Sequence, residues 1–170
     1  YALVFCDDVY YKSFSKQPLP DGVTFTQNDA SLFADESVAE STAPLGLLNR
    51  MLGKSGAACK VADDFIVDKP LQLIFVTTDA SSGQANYRRN LFVAGKNSQL
   101  DFLLHHLDLS NSEHGAPNCN NIATQFNVDA GAKVNLYLCR QVHAKNFHFE
   151  NATVSLGAKA GFNLYHLAVG

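Results

Sequence analysis

The chain has 170 residues, of which 46% are hydrophobic and 17% charged, and its formal net charge is −3. This balance fits a folded domain, or one domain with a small appendage, and not a disordered segment. It speaks against a nucleic-acid groove, which needs clustered Lys and Arg, and no apolar run approaches the roughly 20 residues that cross a bilayer.

The chain opens on Tyr1, from which a processed or trimmed sequence is expected. Ala2 to Phe5 is apolar but too short for a secretory signal, and Asp7 and Asp8 follow almost at once. Residues 1–35 read as short strand-like pieces. Leu3 to Phe5 is apolar, Pro18, Pro20, Asp21 and Gly22 form a turn cluster, and Val23 to Thr26 suits an exposed strand. Residues 36–60 read as helix. Thr42 can cap it, Pro44 sits in the first turn and Gly53 stops it. Leu45, Leu48 and Leu52 then share one face, with Leu47 and Met51 beside them, so residues 43–53 are expected to pack that face on the core. On that expectation, Leu48→Asp costs a few kcal/mol.

From Phe65 onward the texture is β. Phe65 to Val67 and Leu71 to Thr78 are strand-like, and a polar loop runs from Asp79 to Asn86. One pattern then occurs three times. It runs Leu91 to Val93, a turn with Gly and Lys, then Leu100 to Leu103. It returns as Phe126 to Val128 with Val134 to Tyr137, and as Val154 to Leu156 with Phe162 to Tyr165. Aligning Val93, Val128 and Leu156 gives steps of 35 and 28 residues, in the range of solenoids. One strand–turn–strand unit cannot bury its own apolar side, whereas stacked units share a continuous core. The expected architecture is therefore mainly β, a β-helix of stacked rungs with a small helical amino-terminal portion. The small turn residues fit tight corners or positive φ. Leu91, Val93, Val128, Leu136, Leu156 and Leu164 are the expected inward positions. Consecutive hairpins of a sandwich or jelly roll are the alternative. The division is residues 1–60 as an α/β cap and 61–170 as a partial β-helix core.

Several weak motifs, in collinear order, carry a resemblance. Leu3-Val-Phe-Cys-Asp-Asp-Val9 and Leu19-Pro-Asp-Gly-Val23 come first, then Leu45-Gly-Leu-Leu-Asn49 and Val67-Asp-Lys-Pro-Leu-Gln-Leu-Ile-Phe75. Tyr87-Arg-Arg-Asn-Leu-Phe-Val93, the Gly/Lys turns and His166-Leu-Ala-Val-Gly170 complete it. Together they resemble the amino-terminal part of SufD-type proteins of the SufB/SufD family. The resemblance implies a right-handed parallel β-helix. It also implies a non-enzymatic scaffold subunit of a SufBCD-type iron–sulfur cluster assembly complex, with a SufB-like paralogue and a SufC-like ATPase as partners. The family's interface and cluster-building residues lie late in the β-helix, and this chain is expected to stop before them. The iron–sulfur cluster is thus implied for the full complex and not for this stretch.

No residue is assigned as catalytic, cofactor-binding or metal-binding. All six histidines, His105, His106, His114, His143, His148 and His166, lie late in the chain with Cys119 and Cys139, but no pair has a metal-site spacing. His105 and His106 are adjacent and face opposite ways in a strand, and His143 and His148 flank an expected loop. The four cysteines, Cys6, Cys59, Cys119 and Cys139, include no C-x-x-C pair and read as reduced thiols of a cytoplasmic protein. The Asn151-Ala-Thr153 sequon has no meaning there. Gly53-Lys-Ser55 lacks the spacing of a phosphate loop, and Arg88 and Arg89 read as a solvated strand edge. A carbohydrate-active or carbohydrate-binding β-helix is the rival function. It needs paired carboxylates, yet the acids gather at Asp7/Asp8, Asp35/Glu36 and Asp63/Asp64, leaving Asp101 and Asp129 in the repeats.

Overall fold

The computed structural model describes residues 1–16, 18–27, 44–53, 55–110 and 115–169. These are mainly β. The elements run β1 (Ala2–Cys6), β2 (Val9–Tyr10), β3 (Val23–Gln27), helix α1 (Pro44–Leu52), β4 (Ala57–Val61), β5 (Leu71–Thr77), β6 (Ala85–Ala94) and β7 (Gln99–Asp108). Then follow β8 (Cys119–Val128), β9 (Lys133–Gln141), β10 (Phe147–Leu156) and β11 (Gly161–Val169). One sheet has the order β11-β9-β7-β5-β1-β2 and the other β10-β8-β6-β4-β3. From β4 onward the chain alternates between the sheets, and each strand pairs in parallel with the next one in its own sheet. Only β1–β2 and β3–β4 are antiparallel among the described strands. The long consecutive strands do not pair with each other, which removes the hairpin alternative. Strand β4 corrects the helical reading of residues 36–60. Ala57, Ala58 and Cys59 have little intrinsic β preference, but all three are buried and pairing on both sides makes them a strand.

The chain turns from sheet to sheet through stacked corners. Asp64, Asn97, Gly131 and Lys159 occupy equivalent places, all with positive φ (57°, 55°, 72° and 58°). Each corner hydrogen-bonds the next: Asp64 N donates to Lys96 O, Asn97 N to Ala130 O and Gly131 N to Ala158 O. Asn and Asp tolerate this conformation better than most residues. Glycine serves the positive φ at Gly131, while at Gly157 it serves a close approach, since a Cβ there would lie 2.6 Å from Ala130 N. Side chains repeat the rungs. Asn97 donates to Asp64, Asn135 to Asp101 and Asn163 to Asn135, across intervals of 33, 34 and 28 residues.

The register corrects the expected inward set. Val128 pairs with Ala94, not Val93, and Ala94 pairs with Val61. Phe92 and Ala94 are therefore the buried apolar residues of β6, while Leu91 and Val93 are only half-buried. Ala94 belongs to the strand and not to the turn, and that one residue exchanges the faces of β6, because side chains alternate. Val128 and Leu136 are buried as expected. Leu156 and Leu164 stand in the same columns, opposite Val128 and Leu136, but are 55% and 53% exposed on the last strand of each sheet. The core between the sheets is led by Leu3, Leu71, Leu73, Phe102, Leu104 and Phe126.

Helix α1 packs the other way round from expectation. Leu45, Leu48 and Leu52 are 39%, 41% and 43% exposed, and Asn49 is the buried residue. The Asn49 Nδ2 donates to Arg88 O (3.0 Å) and Asn121 O (2.8 Å), and Asn121 Nδ2 donates to Leu45 O (2.8 Å). A polar clasp, not a leucine face, seats the helix on β6 and β8. Gly53 N closes the end on Asn49 O; the expected Thr42 cap lies outside the described residues. Asn49→Leu is expected to cost about 1–3 kcal/mol, because two carbonyls lose a buried donor. Leu48→Asp should fall within about 0.5 kcal/mol, as at other exposed positions. Chemical denaturation of both variants checks the pair; a larger loss from Leu48→Asp would place the leucine face inside.

Candidate functional site

The strand interiors are divided. The later halves of β6 and β8 send Phe92, Ala94, Phe126 and Val128 into the apolar core. Their earlier halves bury Arg88, Asn90, Asn120 and Thr124. Here a charged chain of contacts runs between the sheets. Asp8, beyond β1, pairs with the Arg88 guanidinium, which lies 4.0 Å over the Phe75 ring. Phe75 stacks on His106 (centroids 5.3 Å, interplanar 13°), its register partner in β7. The His106 ring meets His148 edge-on at 4.8 Å. Arg88 is thus buried, and Arg89 with it, which corrects the reading of a solvated edge.

His148 and Glu150 are two apart on β10 and share a face; His106 reaches them from the opposite sheet. His106 Nε2 lies 3.6 Å from Glu150 Oε1, and His148 Nε2 lies 3.5 Å from Glu150 Oε2. All three side chains are at least nine-tenths buried, at 6–7% exposure. His106 Nε2, His148 Nε2 and Glu150 Oε2 have no hydrogen-bond partner. Burial pushes His106 down to about 4, against the opposing pull of Glu150. Burial would raise the Glu150 carboxyl, but the two imidazoles lying 3.6 and 3.5 Å from its oxygens hold it below the usual carboxylate range. A carboxylate therefore faces imidazole nitrogens with free lone-pair or proton positions, a donor set able to take a cation.

Among the described residues this is the set of three His, Cys, Asp or Glu side chains whose ligand atoms converge, all within 4.8 Å of one another. The other candidates scatter. His105 faces away from His106, beside Cys139. The His143 backbone N donates to Asp108 Oδ2 (3.2 Å), and Arg140 donates to His166 Nε2 (3.0 Å). His114 lies outside the described residues. The four cysteines are unpaired. Burial pushes the Cys59 thiol far up and raises Cys6 and Cys119 too, which disfavours the thiolate needed for ligation. Spacing arguments miss the cluster because His148 lies inside β10, not at the rim of a loop. The signal is the alternate pair His148-x-Glu150, which puts two donors on one face only once a strand is recognised.

Residues 75–170, more than half of the chain and all three residues of the cluster, match the family model described as SUF system FeS cluster assembly, SufBD core domain. The chain belongs to the SufBD family. No curated protein matches it. The SufBD match begins at Phe75, the ring on which His106 stacks, and takes in Arg88; Asp8 and α1 precede it. It is shared by SufB and SufD. Among the described residues, no helix of this SufBD chain is long and apolar enough to cross a membrane.

Proposed function

We propose that the chain is part of a SufD-type scaffold subunit for iron–sulfur cluster assembly, acting without enzymatic activity of its own in a cytoplasmic SufBCD-type complex. The observation that carries this is the SufBD core match over residues 75–170. The SufD-like opening at Leu3–Val9 and Leu19–Val23 favours SufD over SufB. The two sheets read as faces of a right-handed parallel β-helix, supported by parallel register at intervals of 33, 34 and 28 residues along β4, β6, β8 and β10 and by the column of positive-φ corners. Such a rod is a rigid support: each inner strand is held by a neighbour on both sides. Chemistry on the cargo cluster belongs to surfaces the rod positions. The partners in this reading are a SufB-like paralogue and a SufC-like ATPase, and the nucleotide chemistry resides in the latter. Asp101, one of the two acids in the repeats, is engaged by Asn135 at 2.8 Å in a ladder, which suits a structural role better than sugar hydrolysis.

The test is co-expression of the parent protein with SufB-like and SufC-like partners, followed by affinity purification. The three should elute together. A parent that remains alone in the presence of both would overturn the assignment. The purified 170-residue chain should hydrolyse no ATP and retain no sulfide-containing chromophore after anaerobic reconstitution with iron and sulfide.

A further inference from the structure

We propose that His106, His148 and Glu150 form a mononuclear site for a divalent first-row transition metal of the zinc or ferrous class, enclosed between the two sheets. The site rests on this chain's own side chains and stands independently of the scaffold reading.

Three observations carry it. The first is convergence. One ring nitrogen from each histidine and an oxygen of Glu150, from strands of the two sheets, lie within 4.8 Å of one another. Bonds of about 2.1 Å in a tetrahedron place donors about 3.4 Å apart. Each histidine stands close to that distance from one oxygen of the carboxylate, His106 Nε2 at 3.6 Å from Oε1 and His148 Nε2 at 3.5 Å from Oε2. The second is the state of those atoms. Two imidazole nitrogens and one carboxylate oxygen are buried without a hydrogen bond. Direct charge-assisted bonds would draw such groups to about 2.7–2.9 Å. Separations of 3.5 Å and more leave the donors close together without a direct bond between them. The third is charge. Buried carboxylates are paired or bind metals. The guanidinium nearest to this interior, Arg88, is already engaged by Asp8, and the ion partners of Glu150 among the described residues are the two histidines.

The donor chemistry sets the metal class. Imidazole with one carboxylate suits Zn²⁺, Fe²⁺, Co²⁺ or Ni²⁺, whereas Mg²⁺ and Ca²⁺ prefer oxygen alone. Three protein donors leave a position for water or another small ligand. A small cavity lined by Thr77, Asp108, Asn120 and Val142 adjoins His106 and His148. The Phe75 ring, stacked flat on His106, fixes one donor's plane.

The test uses the whole chain stripped with a chelator and titrated with Co²⁺. One equivalent should bind, with visible d–d bands of a four- or five-coordinate site, and Zn²⁺ should displace it. X-ray absorption of the zinc form should show a nitrogen and oxygen shell with imidazole scattering. Affinity should fall at least tenfold in His148→Asn and Glu150→Gln, with circular dichroism confirming that each variant folds. His105→Asn, one residue from His106 but on the opposite face, should bind like the parent sequence. Failure of the parent chain to bind an equivalent overturns the site, as does a shell containing sulfur. Unchanged affinity in folded His148→Asn and Glu150→Gln would equally assign the metal to surface histidines. The titration and the absorption spectrum need no variant, so they decide the matter even if the substitutions prevent folding.

Discussion

Phe126→Ala should lower the free energy of unfolding by about 3–5 kcal/mol, the range for emptying a buried aromatic site. Phe126 is 2% exposed at the meeting point of both sheets. Its ring lies 5.1 Å from Phe92 on the neighbouring strand of its own sheet and 6.5 Å, edge-on, from Phe102 across the core. On the other side it meets Phe162 at 5.2 Å. Removing it strips contacts from three rings at once. They cannot all collapse inward, because each belongs to a strand pinned in register by its neighbours. Phe126→Leu keeps most of the volume and should cost much less. Urea unfolding of the two variants measures the difference. A loss under about 1 kcal/mol for Phe126→Ala would mean that the aromatic column does not hold the sheets together.

Arg88→Ala should cost about 3 kcal/mol, the lower end for breaking a buried ion pair. The lower end applies because the Asp8 side chain is 17% exposed and water recovers part of its charge. The change leaves that carboxylate without its cation and removes the guanidinium from the Phe75 ring, and with it the support behind His106. The companion variant, Asp8→Ala with Arg88→Met, removes both charges and refills the volume. It should be more stable than Arg88→Ala alone, since no unpaired charge remains. Equal stabilities would show that packing of the arginine stem, and not the pair, is what matters.

Several features of this SufBD chain were legible in its residues before any coordinates. The repeated apolar triplets around Gly/Lys turns identify stacked strand–turn–strand units, because only stacking buries their matching faces. Gly53 ends the helix described from Pro44 to Leu52, because local backbone chemistry sets that stop. The motif order from Leu3 to Phe75 points to the family that the match over residues 75–170 establishes.

Other features belong to the tertiary structure alone. Strand β6 extends back to Ala85 through Arg88, Arg89 and Asn90, polar residues that burial in a paired strand makes internal. Their alternation is invisible to a hydrophobic pattern. The same holds for Asn49, whose amide takes the place a leucine face was expected to fill, because two strand carbonyls lie beneath it. The register of Ala94 with Val128 turns on a single residue in a corner, and a one-residue slip exchanges the faces of a strand. The cluster is the extreme case. His106 stands 42 residues before His148 in the chain, so no local spacing relates them. They meet because β7 and β10 lie in opposite sheets and turn those side chains toward the same interior. A sequence can specify which residues occupy a strand face, but only the packing of one sheet on the other decides which faces meet.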